Sequence, residues 1–503
     1  MVEQVKEFPD RWFNTAFIIG PSGDVILRYH KWHIPASIGL GTSPHDMLEE
    51  YSKVFGGDIT ESGPTHGVLA DAQPGHDETA DGVGLFADGI EVDGFAVFEH
   101  ADASYVDLAY ANVTHERPQG LSVHHKVLVR TLRKEIAKDP IEFIEGLTAC
   151  ELRRDGEGRI CGVVFEDNGG QTCEVACDLV IAADGKGSTT RKLAGIADAR
   201  ETIGFTAGVE VRNAKLPAPN YAHVMLGAWG PVLAYPILRE ADGTVVTRLT
   251  FDLPRELPVK GEAIKQYLLR AFVPFIPAPL SGQVAQAILA RKGPLEMAPT
   301  VDLPAPRAVM PGLALVGDAA GCSHPITASG MTMCLRDAET LGEQAKRREH
   351  APLGEAWLDD AALRRYRSEH DRYVPTRQAL ANAIYEAFRG ETAGARAIRL
   401  ALFDYWHSGE TARRRSMALL SCAERRPSVF LSEYLRAAGH ALGVSLSPKH
   451  ASHYPVADRL RQARGAALLA RDKLGLVANV VWAQVRPGWY QRGWIREVVR
   501  SGP

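Results

Sequence analysis

The chain has 503 residues, room for two to four domains at about 150 residues each. Its 45% hydrophobic and 23% charged residues are those of an ordinary globular protein. A formal net charge of −4 argues against a general nucleic-acid binder, which carries a strong basic excess. Seven scattered cysteines give no disulfide framework and point to a reducing cytoplasm. Cys173 and Cys177 read as core thiols on one face of a strand. The charged start, MVEQVKEFPDRW, lacks the apolar segment of a signal peptide. No run reaches the ~20 apolar residues needed to span a bilayer. The stretch 474–485 is too short and is stopped by Arg486-Pro487, so a soluble or at most peripheral protein is expected.

In chain order, 13–19 reads as a strand, Gly20 to Gly23 as a tight turn and 24–29 as the return strand of a hairpin. Ser43-Pro44 supplies an N-cap and first-turn proline for a short helix that Gly56-Gly57 closes. Asn14-Thr15-Ala16, the hairpin and Tyr29-His30-Lys31 together resemble a piece of the nitrilase (carbon–nitrogen hydrolase) family, over about residues 10–57. In that family a lysine at this place belongs to a Glu–Lys–Cys triad. Here the first cysteine is Cys150 and the glutamate has no counterpart, so acyl transfer has neither nucleophile nor base. An unusual hairpin with chance similarity is the alternative.

Residues 93–100 and 105–110 alternate as strands do, and Arg117-Pro118-Gln119-Gly120 leads into a helix over 123–138. Strands are expected at 141–147, 159–166 and 171–177, with a glycine hairpin at Asn168-Gly169-Gly170. A further hydrophobic strand then stops at Asp184-Gly185, followed by Ser188 and by Arg191 at a helix start. Between 201 and 300 the alternating stretches 205–212, 223–229, 232–237 and 244–252 predict a sheet, followed by a helical stretch at 261–272 and a proline-rich link. Beyond it, 313–316 is a strand ending at Gly317-Asp318. A Gly/Pro-punctuated loop, His324-Pro325-Ile326-Thr327-Ala328-Ser329, enters a helix near Gly330-Met331. A strand feeding a helix N-terminus presents backbone N–H groups to an anionic ligand. The tail 376–503 reads as mostly helical.

The DGxxSxxR pattern at Asp184 to Arg191 and the GD pattern at Gly317-Asp318 resemble those of flavin-dependent monooxygenases. The words His324-Pro325-Ile326-Thr327 and Gly330-Met331-Thr332 are most similar to squalene epoxidases, over about residues 65–503. Two buried strands of an unrelated α/β protein are the alternative. The resemblance implies an α/β fold. It would comprise a Rossmann-like FAD/NAD(P)-binding domain (61–200 and 301–375), an antiparallel substrate sheet (201–300) and a helical C-terminal region (376–503), behind the 1–60 fragment. It implies FAD, NAD(P)H as reductant, and transfer of one oxygen of O2 through a flavin C4a-hydroperoxide to a hydrophobic small molecule. It leaves epoxidation and hydroxylation both open. The resemblance further implies that Asp318 binds the ribitol and that Gly330 and Met331 line the flavin. By the same resemblance Asp184 would lie near the pyrophosphate, Ser188 and Arg191 would support its turn, and Gly185, Gly317 and Pro325 would complete the cofactor-binding set. No metal site is expected, because His124 and His125 are adjacent and diverge on a helix. The family's C-terminal helices also imply a peripheral membrane contact, against which stands a plain helix-bundle core.

One part is missing. A dinucleotide-binding flavoprotein opens with strand, GxGxxG and helix, then an acidic residue about twenty positions on. Gly20 to Gly23 is followed by a second strand, and Gly39-Leu40-Gly41 has no strand before it. Val127 also stands where the family places an arginine, and Ala328-Ser329 where squalene epoxidases carry glycines. Losing that first βαβ unit weakens the grip on the pyrophosphate by several kcal/mol, at about 1.4 kcal/mol per tenfold. It also bares the inner edge of a parallel sheet. A catalytically inactive flavoprotein homologue is therefore the second hypothesis, and a carbon–nitrogen hydrolase the third.

Overall fold

The structure is a computed structural model that describes residues 14–19, 25–31, 68–69, 89–101, 104–113, 119–136, 141–197, 199–227, 230–346, 358–424 and 426–446, with short pieces of 460–468. It is a mixed α/β protein. The expected helix at 43–57 lies outside the described residues.

Leu179–Ala182 and Leu313–Leu315, the strands that end in the DG and GD turns, are buried along their whole length and pair in parallel, Val180 beside Leu313. Continuous apolar runs of this kind belong to strands covered on both faces. The expected bare edge is filled: Asn14–Ile19 pairs antiparallel with the DG strand, Ile18 beside Val180, and Val25–Lys31 pairs antiparallel with Asn14–Ile19. The hairpin satisfies the backbone donors and acceptors that a missing βαβ unit would leave open. The five strands run in the order Val309–Met310, Leu313–Leu315, Leu179–Ala182, Asn14–Ile19, Val25–Lys31.

Leu147–Arg154, Ile160–Asp167 and Thr172–Ala176 form a small antiparallel sheet against this layer. The strand expected at 141–147 does not form: 141–146 are irregular, and after Gly146, at a left-handed φ of 72°, a strand the sequence reading did not anticipate runs over Leu147–Arg154. The Asp167 carboxylate accepts the N–H groups of Gly169 (2.8 Å) and Gln171 (2.7 Å), closing the expected glycine turn. Cys177 is buried, but Cys173 is exposed, which corrects its reading as a core thiol: its strand is an edge strand with both faces largely in solvent. All seven cysteines are free.

The third sheet has seven strands. Glu201–Arg212, Tyr221–Leu226, Pro231–Arg239, Val245–Pro254 and Met297–Asp302 are joined by Gly94–Phe98 and Tyr105–Ala109. Gly94–Phe98 runs parallel to Tyr221–Leu226, and every other pairing in this sheet is antiparallel. Alternation splits its residues between two faces. Val209, Ala234, Leu249 and Phe251 point to the helices Ala263–Ala271 and Leu280–Ala290 and pack on Leu268, Phe272 and Val284. Burying each such large side chain stabilises the sheet by roughly 1.5–3 kcal/mol. The second helix occupies what the sequence suggested was only a proline-rich link. Phe95, Thr206, Leu233, Tyr235, Thr250 and Asp252 occupy the opposite face, toward the GD loop.

The helical region begins with the 30-residue helix Asp360–Arg389, N-capped by Asp359 (2.7 Å to the Ala362 N–H) and closed by Gly390 at φ 61°. Ala393–His407, Glu410–Leu420 and Pro427–Leu446 pack around it. Phe403, Tyr405, Trp406 and Met417 are buried in the resulting core. No described helix is long and apolar enough to cross a membrane.

Candidate cofactor and substrate site

The DG turn is built around a buried carboxylate. Gly185 takes φ 73°, which sharpens the turn after the strand. Asp184 Oδ2 accepts the Thr190 N–H (2.9 Å), and the Ser188 hydroxyl accepts the Arg191 N–H (2.9 Å) as N-cap of the short helix Thr189–Leu193. Asp184 Oδ1 is buried with no hydrogen-bond partner among the described residues. Such an atom is costly unless a donor meets it.

Arg191 joins the two motifs. Fully buried, it donates from Nη1 to the Ala319 carbonyl (2.9 Å) of the GD turn and from Nη2 to the Lys186 carbonyl (2.9 Å) of the DG turn. A guanidinium fork suits two carbonyls held at a fixed spacing.

On the other side, the Gly317 N–H donates to Asp337 Oδ2 (2.7 Å), and a Cβ at Gly317 would stand 2.6 Å from Cys334 Sγ. Asp337 also holds His370 Nδ1 (2.8 Å) and accepts from the Tyr373 hydroxyl. Burial pushes the Asp318 carboxyl up, and the Lys186 ammonium pulls it back. Burial likewise pulls Lys186 down, which Asp318 opposes, and its Nζ donates to the Pro299 carbonyl (3.1 Å). Gly330, where the helix Gly330–Lys346 starts, lies beside Asp318: a Cβ there would sit 3.9 Å from Asp318 Oδ1.

Between the 324–328 loop that follows the GD turn and the seven-stranded sheet lies a cleft of about 670 Å³, solvent mouth included, lined by Phe95, Leu233, Tyr235, Thr250 and Ile326 among others. Pro325 lines it too. Met331 packs instead against Leu121, Val123 and Leu128. Burial lowers both His124 and His125 to about 4, the cations Lys126, Arg248 and Arg130 adding to the effect at His124 and His124 itself to that at His125.

The geometry thus gathers Asp184, Gly185, Ser188, Arg191, Gly317, Asp318 and Gly330 around one pair of strand ends, with Pro325 at the cavity wall. Sequence reasoning missed Lys186, which occupies a variable place inside the DG pattern, and Asp337, which lies two turns into the following helix.

A family model for squalene epoxidase matches residues 176–457, and one for an FAD-binding domain matches residues 78–271. The chain belongs to the squalene epoxidase family. Its relatives include squalene epoxidase erg1 of Aspergillus fumigatus, 29% identical over 348 residues, covering 68% of this chain and 69% of that protein. Squalene monooxygenase of Mus musculus is 27% identical over 353 residues, covering 70% of this chain and 59% of that one. This squalene epoxidase family member therefore spans between 59% and 69% of the length of those relatives. Among solved structures, p-nitrophenol 4-monooxygenase of Pseudomonas putida aligns with a TM-score of 0.56 at 17% identity, over 72% of this chain and 89% of that one, a likeness of fold.

Proposed function

We propose that this chain is an FAD-dependent monooxygenase that uses NAD(P)H and inserts one oxygen of O2 into a hydrophobic small molecule. The observation that carries the reading is the Arg191 fork, which locks together the DG and GD turns, the latter running on into the loop that walls a largely apolar cleft. The residues present fit the flavin: Asp184 offers a buried, partnerless carboxylate oxygen to a hydroxyl donor, and Gly330 leaves the Asp318 carboxylate uncrowded at a helix start. FAD held there would supply the oxygen-activating redox chemistry. Asp318 would take the ribityl hydroxyls, with Gly317 and Gly330 giving close backbone approach. Asp184 and Gly185 would face the pyrophosphate side, steadied by Ser188 and Arg191. Pro325 and Met331 complete the proposed set.

The chain's own work is to bind, to orient and to exclude water; no nucleophile is required of it. The substrate proposed is an unsaturated hydrocarbon of the kind named in its relatives, squalene, seated on Phe95, Leu233 and Ile326. The proposed domains are 61–200 with 301–375 for the cofactor and 201–300 for the substrate, the latter extended by the strands Gly94–Phe98 and Tyr105–Ala109, followed by 376–503. The nitrilase likeness of 10–57 is kept as a proposal about ancestry. A peripheral membrane contact is proposed for the helix Pro427–Leu446, which exposes Leu435.

The test is the visible spectrum of purified protein after incubation with FAD and desalting, followed by NAD(P)H oxidation with squalene in detergent. Retained flavin absorbance with oxygenated product supports the reading. A colourless native chain beside a yellow variant given a complete βαβ unit would support the inactive homologue instead.

A further inference from the structure

His324 lies where three parts of the fold meet. Its ring stacks on Tyr385 of the long helix, centroids 3.7 Å apart and planes 16° from parallel. Nδ1 accepts the Ile326 N–H (3.1 Å), capping the single turn Pro325–Thr327. Nε2 faces Asp252 Oδ1 at 3.1 Å, on the cavity face of the strand Val245–Pro254. With Nδ1 accepting, the ring proton is assigned to Nε2, which donates to Asp252. Both side chains are buried, at 3% and 8% exposure, so neither end of the bond is exchanged for water at little cost.

A loop that needed only a cap would be served by Asp, Asn or Ser. A histidine adds a second nitrogen that reaches the facing sheet. The next residues along the loop, Pro325, Ile326 and Ala328, line the cleft, and Ala328 takes φ 51° just before Gly330 and Asp318 meet.

We propose that His324 is a positioning residue: by pairing with Asp252 and stacking on Tyr385 it fixes the spacing between the GD loop and the floor of the substrate cleft. The inference rests on the function proposed above for that cleft. Its consequence is coupling, because a loop free to drift leaves substrate misplaced relative to the cofactor while the cofactor's own contacts stay intact.

Three variants separate cap from strut. His324→Asn keeps an acceptor for the Ile326 N–H and loses the reach to Asp252. His324→Gln keeps a donor at the Nε2 distance and loses the cap. Asp252→Asn tests the partner. Hydrogen exchange of residues 322–330, measured without added FAD, reads the tether directly. Peroxide released per NAD(P)H oxidised, with squalene in detergent, reads the coupling. His324→Asn should speed exchange in 322–330 by about tenfold, the loss of one buried hydrogen bond. It should raise the peroxide fraction while FAD affinity holds, and His324→Gln should restore both to within about twofold. Unchanged exchange and peroxide in His324→Asn, or a His324→Gln as impaired as His324→Asn, would overturn the proposal. If the wild-type chain retains no flavin, the function reading falls, and the exchange comparison still decides whether the strut holds the loop.

Discussion

Replacing Arg191 with lysine keeps the positive charge and removes the fork. The guanidinium meets the Ala319 and Lys186 carbonyls at 2.9 Å each from separate nitrogens, in a site with no solvent exposure. A single ammonium satisfies one of the two and leaves the other buried without a donor, at about 1–3 kcal/mol. The narrower lysine chain adds a packing defect of about 1 kcal/mol. Arg191→Lys should therefore lower unfolding stability by roughly 2–4 kcal/mol. Arg191→Met, which loses both bonds, should cost more. Separated turns should also weaken FAD binding by roughly 10- to 100-fold, the equivalent of about 1.4–2.8 kcal/mol. Urea unfolding followed by circular dichroism reads the first quantity, and quenching of flavin fluorescence on titration reads the second in buffer where both proteins are folded. An Arg191→Lys protein within about 0.5 kcal/mol of wild type that binds FAD equally well would refute the idea that this side chain ties the turns together.

Asp318→Asn should weaken FAD binding by roughly tenfold to a hundredfold, the worth of charge-assisted hydrogen bonds to hydroxyls, in the same fluorescence titration. Gly312→Ala should prevent folding or sharply lower the melting temperature, since its Cβ would stand 1.9 Å from the Ile160 carbonyl oxygen at φ 74°. Gly146→Ala, at φ 72° with nothing within 4 Å, should cost only about 1 kcal/mol of backbone strain and serves as the control. Burial acts to lower His370, but the Asp337 carboxylate, with Asp371 and the Ala320 backbone adding to it, raises the group above its usual 6.5. The stability this pair adds is fully present below pH 6.5 and is lost as pH rises through the raised value, so unfolding scans at increasing pH should decline in wild type more than in His370→Gln. Val127→Arg, restoring the family's cation, should tighten FAD binding by about tenfold, read by the same titration.

The two turns were legible because their chemistry is local: an Asp-Gly at a strand end, a serine cap and an arginine lie within eight residues, and each fixes the next. The hairpin at 14–31 was legible for the same reason. What escaped depends on contacts far apart in the chain. Asp252 and His324 are 72 positions apart, and neither residue type announces the other. Gly94–Phe98 was expected near the cofactor, yet it pairs in parallel with Tyr221–Leu226, a choice set by which sheet edge is free. The helix Leu280–Ala290 was hidden by Pro277 and Pro279, which stand just before its first turn, where proline is tolerated. Lys186 sits in a variable motif position whose meaning comes from what lies across the gap.

The antiparallel hairpin beside the DG strand has an electrostatic consequence. A strand followed by a helix brings a permanent partial charge of about +0.5 to the strand's end, fixed in the backbone and hard to displace. Here the strand Asn14–Ile19 is followed by another strand, Val25–Lys31, so it delivers no such pole. From this strand's end a diphosphate would gain nothing, and it would lean on side-chain cations instead, Lys186 of the DG turn among them. Their attraction, where water reaches it, fades over a screening length of about 10 Å at 0.1 M salt and about 3 Å at 1 M. FAD binding to this chain should therefore weaken as ionic strength rises, which a titration repeated at 0.1 M and 1 M salt reads directly.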